Sequence, residues 1–515
     1  MAISSDAHIW PYSNSSSRLA RFARQHALAC ALVVLGWASL VAAGLPPPHI
    51  DDVWYVDPAI SFAQTGRLEA PALARVLAAF GTQRCFLSFP FYPLLLGTWF
   101  RILGVSFGSA AAFWIACGAV SSVSLRAILR ALGAGAASEI AALVYLPLQV
   151  QCYGLRPEQT GYALSLAGAA LLMRPTPARR SLGCLLTCGA VFCASNFVAV
   201  APGLALTAVC SERVTPALLR RLALTGAFTA ALTLALFTLA IGAHFSEFVR
   251  QVSAMSRVTF SRSQTLSFVF EQLAGHGFAK LHMGPLYALY FPIFAVAMTP
   301  AGRFFPAPAR TFIVGVGLTL VMTIAYRARS FDVMNPLVFA SVLLAAPALA
   351  IQFGRLPVVA VLGCVGACSV AGDCVNLLLT PACDKVALAR VRRRASELSL
   401  RVVVDEFSAR FVYDYRYPRD ALSFHHQQAL ENPMGFEARA EFKRPDEVWI
   451  VSRASLCKLT PTLAVDDCKR LNLLGRELTN AYANVREMAV LESRAPQSPS
   501  LASPPMRTAD ARARW

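Results

Sequence analysis

The sequence predicts a polytopic helical membrane protein, mostly α, with a small soluble α/β domain towards its C-terminal end. Of its 515 residues, 56% are hydrophobic and 15% are charged, and the mean hydropathy is +0.51. Such a composition is too apolar for an ordinary soluble protein. Long apolar runs recur up to about residue 380, and the composition is mixed beyond that point. A bundle of membrane helices followed by a water-soluble unit accounts for both observations.

The basic charge does not indicate a nucleic-acid-binding protein. The formal net charge is +18 and the pI is near 9.6, but the basic residues fall mostly in short clusters between apolar runs. Such clusters are typical of loops retained on the cytoplasmic side of a membrane. No nucleic-acid recognition module accompanies the charge. The expected partner is therefore the lipid bilayer, with no nucleic acid.

The apolar runs predict about eleven membrane spans within residues 26–380. The first, residues 26–45, follows a cluster of arginines that places the N-terminal residues 1–25 in the cytoplasm. A cleaved signal peptide is the alternative, although the run ends in Pro46-Pro47-Pro48 rather than in a small-x-small cleavage site. The other predicted spans are residues 107–128, 136–153, 159–174, 181–195, 196–212, 216–243, 281–299, 310–327, 335–352 and 357–380.

Two stretches leave the span count open. Residues 86–104 are apolar but carry Pro90, Pro93 and Arg101. If this stretch crossed the membrane, the later arginine clusters would lie outside, against their usual preference for the cytoplasmic side. A juxtamembrane or re-entrant segment is therefore favoured. Residues 181–195 and 196–212 are each short for a span. They are either two short helices that meet at Asn196 or one broken element.

The first outer loop, residues 46–106, is expected to contain two short helices. Asp57 suits an N-cap and Gly66 a C-terminal stop, which predicts a helix over residues 58–65. Residues 71–81 place Leu73, Val76, Leu77 and Phe80 along one helical stripe, as in a helix that lies on a membrane surface or against the bundle. The acid pair Asp51-Asp52 would then be held at the outer mouth of the bundle.

These features resemble the membrane-embedded glycosyltransferases of the C-type fold (GT-C), of the protein O-mannosyltransferase and lipid A aminoarabinose transferase kind. The similarity covers roughly the first 210 residues. It rests on the acid pair and aromatic helix at residues 51–66, on FPFYPLLLGTWFRILGVS at residues 89–106, and on YGLRPEQTGYALSLAGAALLMRP at residues 153–175. Two departures stand out. The usual Asp-Glu is Asp51-Asp52, and the usual His-Pro is Phe89-Pro90, which weakens a metal or supporting role at that position.

The resemblance implies transfer of a sugar from a polyprenyl-phosphate donor, with inversion, to a lipid, a polysaccharide or another periplasmic acceptor. It implies a multi-pass protein of the bacterial inner membrane whose active site faces the periplasm. An acceptor hydroxyl must lose a proton as it attacks, and a carboxylate can take it. Asp51 is the candidate base, with Asp52 and Glu158 as further candidate catalytic acids.

The leaving lipid phosphate needs cationic groups aimed at it, because it gains negative charge in the transition state. The candidates lie in the first outer loop, in the turn before the fourth span, in the outer loop of residues 244–280 and after the ninth span. They are Arg84, Arg156, Arg257, Arg327 and Arg329. Snorkelling is the alternative account of Arg327 and Arg329. No cofactor is required, and a divalent metal stays open, with His49, His276 and His282 as scattered candidate ligands.

Residues 381–492 are expected to form a periplasmic α/β domain. Residues 401–407 and 446–452 read as strands, and residues 384–397 and 466–490 as helices. The tail, residues 493–515, is rich in Pro, Ser and Ala, a composition typical of disorder.

Other classes of protein suit parts of this sequence. A multi-span transporter or flippase of lipid-linked glycans would fit eleven spans equally well, but it predicts internal repeats, and none is convincing. An O-antigen ligase or polymerase would place its functional arginines in a large outer loop late in the bundle. A non-catalytic glycan-binding membrane protein would tolerate loss of Asp51.

Overall fold

The computed structural model of the chain is mostly helical. It describes residues 31, 33–39, 52–73, 77, 80–86, 89–134, 155–174, 176–211, 215–260, 284–326 and 331–379, together with four short strands between residues 401 and 492. Residues 33–39 are helical. The α-helices that follow are α1 (Asp52–Thr65), α2 (Phe91–Leu103), α3 (Phe107–Ala131), α4 (Pro157–Leu172), α5 (Pro177–Cys193), α6 (Phe197–Cys210), α7 (Pro216–Ile241), α8 (Phe245–Phe260), α9 (Gly284–Met298), α10 (Ala307–Tyr326), α11 (Asn335–Phe353) and α12 (Arg355–Leu379).

Several of these helices suit a membrane. Within the part of the chain that the structure describes, four helices are long and apolar enough to cross a bilayer; they are Gly108–Ala131, Pro216–Ala254, Ala307–Ile324 and Asn335–Phe353. Shorter apolar helices accompany them, among them Phe197–Cys210 and Gly284–Met298. The chain is therefore a mostly helical protein that contains helices suited to crossing a membrane, as the composition predicts.

The helices begin and end close to the predicted spans, because long apolar runs satisfy their own backbone hydrogen bonds best as helices. The open question at Asn196 is resolved: α5 ends at Cys193 and α6 begins at Phe197, so this stretch is two helices. The stretch 86–104 contains α2, whose 13 residues span about 20 Å, short of the roughly 30 Å bilayer core. Its position relative to the membrane stays a prediction. The predicted span 136–153 lies outside the described residues.

The first outer loop corrects one prediction. The helix expected over residues 58–65 begins at Asp52, so that Asp57 is not an N-cap but lies inside α1 with Pro58. A proline inside a helix costs about 3 kcal/mol, whereas burying a large apolar side chain contributes about 1.5–3 kcal/mol. Trp54 and Val56 are both buried, and together they outweigh the proline. The stop at Gly66 is confirmed, with φ of +75°.

The second helix of this loop is described only in part. Residues Pro71–Leu73 form a 3₁₀ turn rather than the start of an α-helix, and residue 77 is helical. Leu73 and Leu77 of the predicted stripe are fully buried, so this segment does pack its apolar side inward. Val76 lies outside the described residues.

The two ends of the bundle are distinguished by the antiparallel pair α6 and α10. Gly203 faces Thr319 and, further along α6, Thr207 faces Gly315, so the two helices run in opposite directions. Since α6 begins next to Asn196, α10 begins at the other end. We call these the Glu158 end, where α4 and α6 begin, and the Arg303 end, where α9 finishes and α10 begins.

The strands form one sheet in the order β2-β1-β3-β4, with β1 (Arg401–Asp405), β2 (Asp420–Leu422), β3 (Glu447–Ser452) and β4 (Met488–Glu492). β1 pairs in parallel with both neighbours, and β4 is antiparallel to β3. β1 and β3 lie where the sequence predicts strands. Residues 488–490, predicted as helix, belong to β4, because pairing with β3 overrides the helical preference of Met488 and Ala489. The predicted helix 384–397 lies outside the described residues.

Candidate functional site

The best-defined polar site lies where α4 begins. Arg156 precedes the helix in extended conformation, Pro157 takes its first position, and Glu158 follows in the first turn. This local geometry brings the two charged side chains together, with Arg156 Nη2 3.1 Å from Glu158 Oε1. The Glu158 side chain is 3% exposed and that of Arg156 is 20% exposed, so the carboxylate is buried while the arginine side chain is partly exposed.

Asn196 joins this pair from the junction between α5 and α6. Its Nδ2 donates to Glu158 Oε1 at 3.2 Å, and it lies 38 residues further along the chain. Among the described residues, neither Glu158 Oε2 nor the amide of the buried Gln159 has a hydrogen-bond partner. A buried polar atom without a partner costs about 1–3 kcal/mol, so such a group is suited to contacting a ligand. We refer to Arg156, Glu158, Gln159 and Asn196 as the α4 site.

The α4 site lies beside the start of the helix that carries Asp52. Tyr55, one turn beyond Asp52, packs edge-on against Tyr92 of α2, with ring centroids 6.0 Å apart. The Tyr92 hydroxyl in turn donates to the carbonyl of Leu155, the residue before Arg156. Asp52 is the first residue of α1, and Asp51 lies outside the described residues. This chain of contacts brings the start of α1, at Asp52, to the same end of the bundle as the predicted Arg156 and Glu158.

Asp57 is a further candidate that the sequence reasoning assigned to a helix cap. Its side chain is 1% exposed in the middle of α1, between the buried Val56 and Ala59. A buried carboxylate is costly unless it is paired or hydrogen-bonded, which favours a specific role. One feature of the sequence indicates that Asp57 is buried: it is the only charged residue between Val53 and Ala63.

The segment that carries Arg84 is held against α8 by one glutamine. Gln251 is fully buried; its Nε2 donates to the carbonyl of Arg84 at 2.9 Å, and its Oε1 accepts from the backbone N–H of Phe86 at 2.7 Å. The amide thus pairs with the backbone as a neighbouring strand would. Arg250 adds a bond from its Nη2 to the carbonyl of Phe80. Residues 80–86 and this face of α8, which we call the loop clamp, therefore form one unit.

Glu247 provides the charged part of the loop clamp. It lies beyond residues 222–241, the uncharged apolar part of the stretch Pro216–Ala254, and its Oε2 accepts from Thr82 Oγ1 at 2.9 Å. Its Oε1 accepts from His244 Nδ1 at 3.0 Å. Partial burial acts to raise the pKa of Glu247, but the bonds from His244 and Thr82 and the charges of His244 and Arg84 outweigh it, so the pKa lies below its ordinary value. Arg84 thus has a carboxylate neighbour that stays ionised.

Aromatic side chains join the loop clamp to the α4 site. Phe89 packs against Phe192 near the end of α5 and against Phe248 of α8, with ring centroids 6.4 and 6.2 Å apart. Phe192 also contacts Phe237 near the end of α7. Phe89 stands where the resembling family has histidine, and here it packs among aromatic rings. The two polar groups therefore share the Glu158 end, linked by apolar packing.

The other predicted site residues are less defined. Arg257 lies in the last turn of α8, three residues before the helix ends at Phe260. Arg327, Arg329, His49, His276 and His282 lie outside the described residues. Within the described part of the chain, no three residues among His, Cys, Asp and Glu are grouped so that they could hold a metal ion. The structure therefore brings Arg156 and Glu158 into direct contact and places Arg84 in a separate unit at the same end.

No protein-family model matches the chain, and no curated protein or solved structure is significantly similar to it. The chemistry of the α4 site is therefore argued from its own residues.

Proposed function

We propose that this protein is a membrane-embedded glycosyltransferase of the GT-C kind, which transfers a sugar from a polyprenyl phosphate to a lipid, a polysaccharide or another acceptor. The observation that carries the proposal is the buried Glu158 carboxylate, paired with the partly exposed Arg156 beside the start of the helix that bears Asp52. A carboxylate pair and an anchored arginine at one end of an apolar bundle suit a reaction between a lipid-linked donor and a water-borne acceptor.

The transfer needs one base and one anion-binding group. The acceptor hydroxyl oxygen attacks the anomeric carbon and gives its proton to a carboxylate, while the bond from that carbon to the phosphate oxygen breaks and the polyprenyl phosphate leaves with the electron pair. Asp51 is the proposed base, with Asp52 beside it. A guanidinium stabilises the charge that develops on the phosphate. Arg156 is suited to this role because Glu158 and the α4 start fix its position while part of it stays exposed.

Glu158 is better suited to positioning than to proton transfer. Its Oε1 already accepts from Arg156 and Asn196. These two contacts hold the arginine and the amide against the start of α4. We therefore assign Glu158 the role of orienting Arg156, and Asp51 that of accepting the proton.

The proposal includes a topology. Eleven spans, with residues 86–104 not crossing, would place the arginines near the starts of α5, α7, α10 and α12 in the cytoplasm, in agreement with the preference of such clusters for that side. The Glu158 end, residues 244–280 and an α/β domain over residues 381–492 would then face the periplasm of a bacterial inner membrane. Reporter fusions after residues 106, 177 and 440 should report outside, inside and outside respectively.

The activity is tested with the purified full chain and a panel of polyprenyl-phosphate sugars, by measuring release of the unglycosylated lipid phosphate. Asp51→Asn should lower turnover by about 10² to 10⁴-fold, the usual contribution of a general base. Asp52→Asn should lower it less. Glu69→Gln is the matched control, because Glu69 is an acid of the same loop that forms a 3.7 Å ion pair with the exposed Arg67.

Three results would count against the proposal. Failure of every donor to release lipid phosphate, together with movement of intact lipid-linked glycan across vesicles, would favour a flippase. Parental turnover in Asp51→Asn would remove it as the base. An equal loss in Glu69→Gln would show that the loop charge, rather than the acid pair, is responsible.

A further inference from the structure

An apolar groove lies at the Arg303 end, on the opposite side of the bundle from the α4 site. It is formed by the last turns of α9 and α11, the start of α12 and the 3₁₀ turn Pro300–Phe304. The α6 and α10 pair shows that this is the far end, since α10 begins next to the 3₁₀ turn and runs back towards Asn196. The groove is therefore separate from the residues proposed for sugar transfer.

The groove has the size and lining of a site for a hydrocarbon chain. Its volume is about 640 Å³, and Gln352 is the only polar side chain among its lining residues. Ile293, Phe304, Ala346 and Leu362 form parts of its wall. A sugar or a phosphate inside would lose its hydrogen bonds to water with almost nothing to replace them, whereas an acyl chain would not.

The mouth of the groove is basic. Arg303 lies directly before the lining residue Phe304, and Arg355 lies between the lining residues Phe353 and Pro357. Both arginines are exposed, and neither makes an ion pair with any residue that the structure describes. Arg310 differs from them, because it donates to the carbonyls of Ala297 and Thr299 and so caps the end of α9. Two cations next to an apolar groove match a lipid with a negatively charged headgroup.

We propose that this groove binds an anionic phospholipid, with one acyl chain between α9, α11 and α12 and the headgroup phosphate on Arg303 and Arg355. The surrounding surface is suited to lipid, since Ile351 and Leu356 beside the groove are 83% and 80% exposed. A zwitterionic lipid would offer the same chain, but its ammonium group would offset the attraction of its phosphate to the arginines. The groove therefore selects by headgroup charge.

The proposal is tested by native mass spectrometry of the purified full chain titrated with phosphatidylglycerol or phosphatidylcholine of the same acyl chains. The unmutated protein should retain one molecule of phosphatidylglycerol in preference to phosphatidylcholine. Each of Arg303→Gln and Arg355→Gln should weaken phosphatidylglycerol binding about fivefold, the usual contribution of a basic residue at a lipid surface, and leave phosphatidylcholine binding unchanged. The matched control is Arg220→Gln with Arg221→Gln, since both arginines are exposed near the start of α7, away from the groove.

A second variant tests the binding of the acyl chain rather than that of the headgroup. Ala346→Phe fills the groove from α11 and should weaken the binding of both lipids, while the arginine variants should affect only the anionic one. Equal loss of phosphatidylglycerol binding in the Arg220 and Arg221 control would overturn the proposal, because general surface charge would then explain the preference. Unchanged binding of both lipids in Ala346→Phe would also overturn the proposal, since the acyl chain would then bind outside the groove.

Discussion

The contact between α6 and α10 and the loop clamp hold their elements together in opposite ways. Between α6 and α10, Gly203 receives Thr319 and Gly315 receives Thr207, and each threonine hydroxyl donates to the carbonyl of the glycine four residues before it on its own helix. Neither hydroxyl proton is therefore left for the partner helix, and the helices approach because the glycines lack side chains. In the loop clamp, Gln251 and Glu247 instead bind the neighbouring segment directly.

This difference follows from what surrounds each contact. In an apolar bundle a polar bond between helices gains little over bonds within a helix, and close van der Waals packing has the larger effect. At the end of the bundle, backbone groups of a loop such as the N–H of Phe86 would be buried without partners, so directional hydrogen bonds are needed. Close packing of α6 against α10 should therefore affect the stability of the whole molecule. The hydrogen bonds of the loop clamp should affect only the stability of residues 80–86.

The largest effect is expected from Gly315→Ala. A Cβ built on Gly315 would lie 2.2 Å from Thr207 Oγ1 and 2.9 Å from Thr207 Cβ, so the helices must separate. Overpacking of this kind costs about 3 kcal/mol. The Tm of the detergent-purified protein should fall. Gly226→Ala is the control, since nothing lies within 4 Å of a Cβ built there, and its Tm should be unchanged or higher. Equal Tm values for the two variants would contradict the packing account.

A smaller and local effect is expected from Gln251→Leu. This change removes both bonds to the backbone of Arg84 and Phe86, a loss of about 2 kcal/mol in local stability, or roughly thirtyfold faster amide exchange. Hydrogen exchange measured by mass spectrometry should show the increase in residues 80–86, with little change in α6 or α10. Val249→Ala, at an exposed neighbouring position of α8, should leave the exchange unaltered. Slow exchange in Gln251→Leu would mean that other contacts hold the loop.

The smallest effect is the dependence of the loop clamp on pH. Because the pKa of Glu247 is depressed, its contribution is fully present above the ordinary carboxyl range and is lost as the pH falls through the lowered value. His244, Thr82 and Arg84 are the groups that face it. Exchange in residues 80–86, corrected for its intrinsic pH dependence, should therefore accelerate on acidification. Glu247→Gln should remove this acceleration, and an identical pH profile in both proteins would refute the assignment.

The helices could largely be predicted, because an apolar run long enough to form a helix is a local property of the chain. The division at Asn196 could not be decided from the same pattern, since two short helices and one broken helix have the same composition. The pairing of Arg156 with Glu158 could also be predicted, because only Pro157 separates the two residues and they lie on either side of a helix start. The prediction that Asp57 caps a helix was wrong. A capping pattern can be read from neighbouring residues, whereas the burial that extends α1 back to Asp52 depends on residues far away in the chain.

By itself, the sequence determined that this is a mostly helical membrane protein and where most of its helices lie, because helix formation and transfer into an apolar phase depend on neighbouring residues. It also placed an arginine and an acid at the start of α4. Only the tertiary structure decided that Asn196 completes that pair, that Gln251 holds the loop of Arg84, and that an apolar groove opens beside Arg303 and Arg355. These are contacts between residues far apart in the chain, and their partners are chosen by how the helices pack.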